Sequence, residues 1–349
     1  MLSNGKVGIA IQGAGNVSSG HLRAYLNNPA CEVVAIGSRT KEGAAAKARE
    51  VGLDLNRLAL YDDVDELVTD PNVDALSICS PHTRHAEDTI AAARAGKHCL
   101  IEKPIAMNLD ELHAMDAAVG DAGIRTVCGF VLRWIPSVTA AIAMREQQLF
   151  GNLLYVQTDY WHNPEQSGYP GSEDYIRRKL DASAMLLGGC HAVDLARFLM
   201  GSDIVAVSAV AFTNIAEAPH PPNQVALLQF ANGRAGKVSA CIEQWTPYQF
   251  NVDILGDAGG FRHNRFYSKT LPGVTDWVEF PTITPDSGSV DHHPFQGEID
   301  HFLGCIIEGK ESHASVRDAV NTHEACFAID HSCAEGGAQV QLNDLAPAR

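Results

Sequence analysis

Residues 7–26, VGIAIQGAGNVSSGHLRAYL, carry the reading of the fold. An apolar run at 7–11 meets Gly13-Ala14-Gly15, and a helical pattern starts at once with Asn16 and Val17. Glycines at the first and third places permit a tight strand-to-helix turn and let the backbone approach a pyrophosphate. The free N–H groups and dipole of the helix N-terminus then stabilise that anion. Ser18 stands where a third glycine is usual and is small enough to keep strand and helix close. A plain turn would use the same glycines, so the strand, loop and helix context decides in favour of a dinucleotide site.

The pattern around this stretch agrees. Apolar runs at 6–11, 32–38, 74–79, 98–102 and 125–129 predict strands, and helical periodicity at 17–28, 41–52, 85–96 and 108–123 fills the gaps between most of them. Such alternation is the mark of βαβ units and a parallel sheet. After about residue 130 it gives way to successive apolar runs at 153–161, 204–213, 224–232, 236–245 and 250–257, which predict an antiparallel sheet. Helical patterns interrupt at about 136–148, 186–200, 294–309 and 315–335. The expected fold is α/β: residues 1–130 form a dinucleotide-binding domain. Residues 131–349 form an α+β domain with a large, mostly antiparallel open sheet, used for substrate binding and oligomerisation.

Composition narrows the function. A chain of 349 residues exceeds what one core usually serves, and 46% hydrophobic content supports two. The formal net charge of −16 disfavours nucleic acid or an anionic membrane face as a partner and fits a diffusible small ligand. Nine scattered cysteines without a CxxC pair read as reduced thiols, and neither a signal-peptide pattern nor a membrane-length apolar run is visible. A cytoplasmic protein is expected.

Strand ends in a parallel sheet are where ligands bind, and three of them carry chemistry here. The second ends in Ser38-Arg39-Thr40-Lys41, with no acid to grip both ribose hydroxyls. Ser38 and Arg39 suit a 2′-phosphate, so NADP is favoured over NAD, although the same residues would also serve as a solvated helix lead-in. The run at 74–79 exits through Ser80, Pro81 and His82, with His85 in the next helix. The run HCLIEKPIAMN (98–108) places Glu102, Lys103 and Pro104 in succession on the same edge.

Gly13-x-Gly15, SPHTRHAEDTIAAARAGKHCLIEKPIAMN and GGCHAVDLARFLMG together resemble the glucose-fructose oxidoreductase and inositol dehydrogenase family (Gfo/Idh/MocA). The resemblance extends to HHPFQGEIDHFLGCIIEGK and AIDHSCAEGGAQVQL, and so spans essentially the whole chain. It implies a Rossmann domain followed by an open-sheet domain, and an NAD(P)-dependent oxidoreductase of sugars, cyclitols and related carbonyl compounds. It also implies that Lys103 lies beside the nicotinamide and that His191 approaches the reacting oxygen, while Ser80, Pro81, His82 and Glu102 border the nicotinamide ribose. Oxidising a carbinol needs a base for the hydroxyl proton as hydride leaves, which suits His191, and a donor for the developing charge, which suits Lys103; either of the two can move the proton. Many such enzymes place an aspartate four residues before the histidine, but here that residue is Leu187. Asp194 and Asp181 are the nearby carboxylates, and Asp194 is either a third catalytic group or half of a structural pair.

The segment DYWHNPEQSGYPGSEDYIRRKLDAS (159–183) is rich in aromatic and hydrogen-bonding groups suited to a polyhydroxylated ligand. Trp161, His162, Tyr169 and Arg177 are the candidates there, with Arg133 and Trp134 at the domain junction. His292-His293 is read as a surface pair rather than a metal site. An exposed sheet face predicts a homodimer or homotetramer. Two other functions use the same residues: a redox-assisted glycoside hydrolase or lyase with tightly bound NAD(P), and a non-catalytic dinucleotide-binding regulator.

Overall fold

The computed structural model describes residues 1–2, 4–167, 172, 174–281 and 293–345. It contains two compact units, Met1–Val131 with Pro294–Val320, and Leu132–His293 with Asn321–Arg349. The return of 294–320 to the first unit is a long-range pairing that periodicity does not encode.

In the first unit, β1 (Val7–Gln12) is buried along nearly its whole length, as a central parallel strand must be. It leads through α1 (Asn16–Leu26) to β2 (Cys31–Gly37), then α2 (Lys41–Glu50), β3 (Ala59–Tyr61), α3 (Val64–Thr69) and β4 (Ala75–Ile78). The remainder is α4 (His85–Arg94), β5 (His98–Ile101), α5 (Leu109–Ala122) and β6 (Thr126–Cys128). The six strands are parallel in the order β3-β2-β1-β4-β5-β6. The order reverses between β1 and β4, which opens a crevice at their carboxyl ends. β3 and α3 were not expected from the sequence. A three-residue, half-buried edge strand and a six-residue helix are too short to show a period.

In the second unit, α6 (Pro136–Glu146) precedes β7 (Leu153–Trp161). The chain continues through α7 (Tyr175–Arg178), a π-helical turn at Met185–Gly189, α8 (Cys190–Met200), β8 (Ile204–Ala211), β9 (Asn223–Phe230), β10 (Ala235–Cys241) and β11 (Gln249–Gly256). Short strands β12 (Gly259–Arg262), β13 (Arg265–Ser268) and β14 (Val278–Glu279) extend the edge. After α9 (Phe295–Glu308) and α10 (Val316–Ala334), β15 (Val340–Gln341) and α11 (Leu342–Leu345) close the described chain. The sheet order is β14-β13-β12-β11-β7-β10-β9-β8-β15, with β7 and β10 parallel and the other pairs antiparallel. Its inner face packs on α8, where Thr158 Oγ1 donates to the Ala192 carbonyl at 2.7 Å. The helix expected at 186–200 opens as a π turn because it lies tight on the sheet. A Cβ at Gly188 would collide with the Tyr160 ring, and one at Gly189 would lie 2.7 Å from the Ala240 Cβ. The opposite face leaves Val210 and Leu227 more than half exposed.

Candidate functional site

In the first unit, Gly13 has φ +107°, a region where a Cβ is strained, and a Cβ there would also strike the Cys79 carbonyl. The turn therefore needs glycine on two counts. Gly15 caps α1 in extended conformation with no side-chain cap bond and no acid in the first turn, so the helix N-terminus keeps its anion-binding character. Ser18, in the place of a third glycine, is fully buried and donates to the Gly15 carbonyl at 2.6 Å. Asn16 is exposed at the mouth and Val17 half-buried.

These residues open onto a groove of about 1470 Å³ bordered by Gln12–Asn16, Ser38–Thr40, Lys47, Asp62–Asp65, Cys79–Pro81 and Arg84. Ser38 and the exposed Arg39 stand at the β2 end of this groove, as Gly13, Gly15, Asn16, Ser80 and Pro81 stand at its floor and far wall. Thr40 caps α2 by accepting from Gly43 N–H at 3.1 Å. Among the described residues the buried Ser80 hydroxyl has no hydrogen-bond partner.

His82, Val17, His85, Glu102 and Lys103 do not border the groove. His85 is 2% exposed and spans the Ser80 and Pro104 carbonyls, each at 2.8 Å. Burial lowers its pKa, while the two carbonyls favour the protonated ring; a neutral ring donates to one of them. Either way His85 ties the end of β4 to that of β5. His82 meets it edge-on at 6.5 Å. Glu102 turns inward, accepting from Lys103 N–H at 3.3 Å through Oε2 and meeting His21 Nε2 at 2.9 Å through Oε1. The resemblance assigned it to the nicotinamide ribose, and sequence reasoning missed His21, three residues beyond Ser18.

In the second unit, His191 sits in the first turn of α8, 2% exposed, its ring stacked on Tyr160 with centroids 5.9 Å apart. The Tyr160 hydroxyl meets His162 Nδ1 at 3.0 Å. Tyr248 lies 5.0 Å from the His162 ring, 5.7 Å from Tyr160 and 6.1 Å from His293, and His293 lies 6.4 Å from His191. Burial pushes both tyrosine pKa values up, so their hydroxyls stay protonated, and among the described residues that of Tyr248 has no hydrogen-bond partner. This histidine-tyrosine cluster offers donors and acceptors to a hydroxylated ligand.

The other predicted residues are distributed differently. Trp161 follows Tyr160 on β7 and therefore faces the opposite side of the sheet. There its indole donates to Ser239 at 3.0 Å, next to the Asp159 and Lys237 pair. Tyr160, which the sequence reading passed over, takes the inner place. Arg133 and Asp194 satisfy each other: Nε donates to Oδ2 at 2.8 Å, Nη2 donates to Oδ1, and each side chain is 1% exposed. The Arg133 guanidinium also lies 4.2 Å above the Phe198 ring. Arg133 and Asp194 are thus held together inside the second unit, the geometry of a structural pair. Arg177 is exposed on α7 near Asp174 and Glu217. Trp134 and Leu187 are half-buried and Asp181 exposed. Tyr169 and His292 lie outside the described residues. Among the described residues no group of three or more His, Cys, Asp or Glu is arranged to hold a metal, and no helix is long and apolar enough to cross a membrane.

Residues 7–130 match the family model described as an oxidoreductase family with NAD-binding Rossmann fold, GFO_IDH_MocA, and residues 138–262 match the GFO/IDH/MocA C-terminal domain. The chain belongs to the GFO/IDH/MocA oxidoreductase family. Similar curated members include the scyllo-inositol 2-dehydrogenase (NAD(+)) of Bacillus subtilis, 26% identical over 350 residues covering 97% of each chain. Another is the levoglucosan dehydrogenase of Pseudarthrobacter phenanthrenivorans, 30% identical over 255 residues, 70% of this chain and 64% of that one. The family fold is shared by the solved scyllo-inositol dehydrogenase of Lactobacillus casei with NAD(H) and scyllo-inositol, with TM-score 0.81, 19% identity and coverage of 97% and 99%.

Proposed function

We propose that this GFO/IDH/MocA member is an NAD(P)-dependent dehydrogenase that moves hydride between a nicotinamide and the CH–OH or carbonyl carbon of a sugar, cyclitol or sugar derivative. The observation that carries the reading is its end-to-end likeness to an NAD-dependent inositol dehydrogenase, together with a formed dinucleotide groove. The nicotinamide, when bound, supplies the hydride acceptor. The Gly13-Ala14-Gly15 turn and the α1 N-terminus hold the pyrophosphate, and Ser80 and Pro81 border the ribose. Lys103 donates a hydrogen bond to the reacting oxygen and offsets charge developing there, while His191 accepts the hydroxyl proton as the C–H bond breaks. His162 and Tyr248 bind neighbouring hydroxyls. A panel of cyclitols and sugar derivatives, followed by nicotinamide absorbance and by product analysis, tests this. Product formed without net nicotinamide reduction, or cofactor binding with no turnover, overturns it.

NADP is the favoured cofactor, because the β2 end presents Ser38 and Arg39 and no carboxylate. The expected kcat/KM ratio favours NADP over NAD by about tenfold, equivalent to ~1.4 kcal/mol. Arg39→Ala is expected to erase most of it; a wild-type preference for NAD refutes the assignment.

We also propose a cytoplasmic location and a homo-oligomer. All nine cysteines are free thiols, as a reducing compartment maintains them. Val210 and Leu227, 56% and 61% exposed on the open sheet face, suit burial against a second copy. Light scattering is expected to give a dimer or tetramer that Leu227→Lys dissociates; a wild-type monomer ends the proposal.

A further inference from the structure

Behind the end of β5 lies a buried set of polar groups that hydride transfer does not use. His21, fully buried on α1, meets Glu102 at 2.9 Å through Nε2 and Ser77 Oγ at 3.2 Å through Nδ1, and Ser77 Oγ in turn meets the Tyr25 hydroxyl at 2.8 Å. Helix α9 covers this set. The Phe295 ring lies 5.1 Å from that of His21, and a Cβ at Gly20 would come within 2.8 Å of Phe295. One turn along α9, Glu298 is 0% exposed and neither carboxyl oxygen has a hydrogen-bond partner among the described residues. An acid on the apolar stripe between Phe295 and Phe302, without a partner, is costly to fold, so its retention asks for a role.

We propose that His21 and Glu298 are positioning residues for Lys103: His21 anchors the Glu102 carboxylate that accepts from the Lys103 backbone N–H, and Glu298 lies buried behind that pair, one turn along α9 from the Phe295 ring that packs on His21. The inference rests on the reading of Lys103 as a group at the reacting oxygen. Burial and the neighbouring Glu102 charge push the Glu298 pKa up to about 8, so at neutral pH it is an uncharged acid. Burial opposes charge on His21, but Cys79 and Glu102 outweigh it and raise that pKa well above the usual imidazole value. Burial also pushes up the Cys79 thiol. Burial likewise opposes ionisation of Glu102, and His21, Lys103 and His85 together reverse that. Tyr25 and Cys79 complete the titratable groups that feel Glu298. At neutral pH Glu298 is therefore the protonated acid beside the His21 and Glu102 pair. Ionisation of Glu298 adds a second buried negative charge that repels Glu102 and attracts His21, and so disturbs the pair that holds the Lys103 backbone.

Wild type and Glu298→Gln, a variant of nearly equal shape, test this by infrared spectroscopy and by kinetics. A protonated carboxylic acid C=O band is expected in the wild type, titrating near pH 8, and absent from the variant. The wild-type kcat is expected to fall by at least threefold across that same pH range, with KM changing less than twofold. The variant is expected to lack this alkaline fall relative to its own value at pH 7. His21→Gln, checked for folding by circular dichroism, is expected to lower kcat at least tenfold. Absence of the band, or the same alkaline fall in both proteins, overturns the proposal. No turnover in either protein overturns the dehydrogenase reading instead. The band then decides the cluster on its own: the proposal requires it in the wild type, lost near pH 8, and requires its absence from Glu298→Gln.

Discussion

Lys103→Ala and His191→Ala are each expected to lower kcat by about 10²–10⁴-fold, the usual contribution of a positioned acid, base or oxyanion donor. Dinucleotide affinity is expected to stay within a few-fold, because the pyrophosphate is held elsewhere, by the Gly13-Ala14-Gly15 turn and the α1 N-terminus. Removing Lys103 leaves charge on the reacting oxygen without its donor. In the proposed mechanism, removing His191 leaves the hydroxyl proton without its acceptor beside the Tyr160 ring. Steady-state kinetics with the best substrate of the panel, alongside fluorescence titration of the reduced cofactor, measures both quantities. Near-wild-type turnover in either variant removes that residue from the chemistry. A parallel loss of cofactor binding transfers it to the binding site.

The second large effect is on stability. Arg133 and Asp194 are each 1% exposed and bonded at both ends of the guanidinium fork. Deleting one partner leaves a buried charge uncompensated, which typically costs about 3–5 kcal/mol, whereas replacing both by apolar residues of similar volume is far milder. Arg133→Met and Asp194→Leu are each expected to lower the unfolding free energy in urea by that amount, and the double variant to recover most of it. The same series separates the two roles considered for Asp194. A structural partner predicts that Asp194→Asn loses stability while the folded enzyme keeps most of its kcat. A catalytic carboxylate predicts a large loss of kcat at nearly unchanged stability.

What could be read without coordinates follows from local rules. The continuous burial of β1 and the Gly13 turn are written in residues 7–15, because a parallel central strand is apolar on both faces and only glycine tolerates that φ with a carbonyl against it. Long helices such as α5 and α10 showed their period, whereas β3 and α3 did not. Along β7 the alternation of faces was visible but its phase was not. Trp161 attracted attention as the larger ring, and Tyr160 proved to hold the inward position next to His191. Glu298 left a trace too, as a lone acid on the apolar face of a helix.

By itself, then, the sequence determined the sheet type of each half, the dinucleotide turn, the edge carrying Glu102 and Lys103, and the family. Those features depend on neighbours a few residues apart or on motifs contiguous in the chain. Only the tertiary structure decided which polar groups meet across large separations: Arg133 with Asp194 in the second unit, and in the first His21 with Glu102, with Glu298 buried near that pair. A buried charge is stable only beside a partner brought in by packing, so the identity of that partner is a property of how the elements stack and not of the spacing between them.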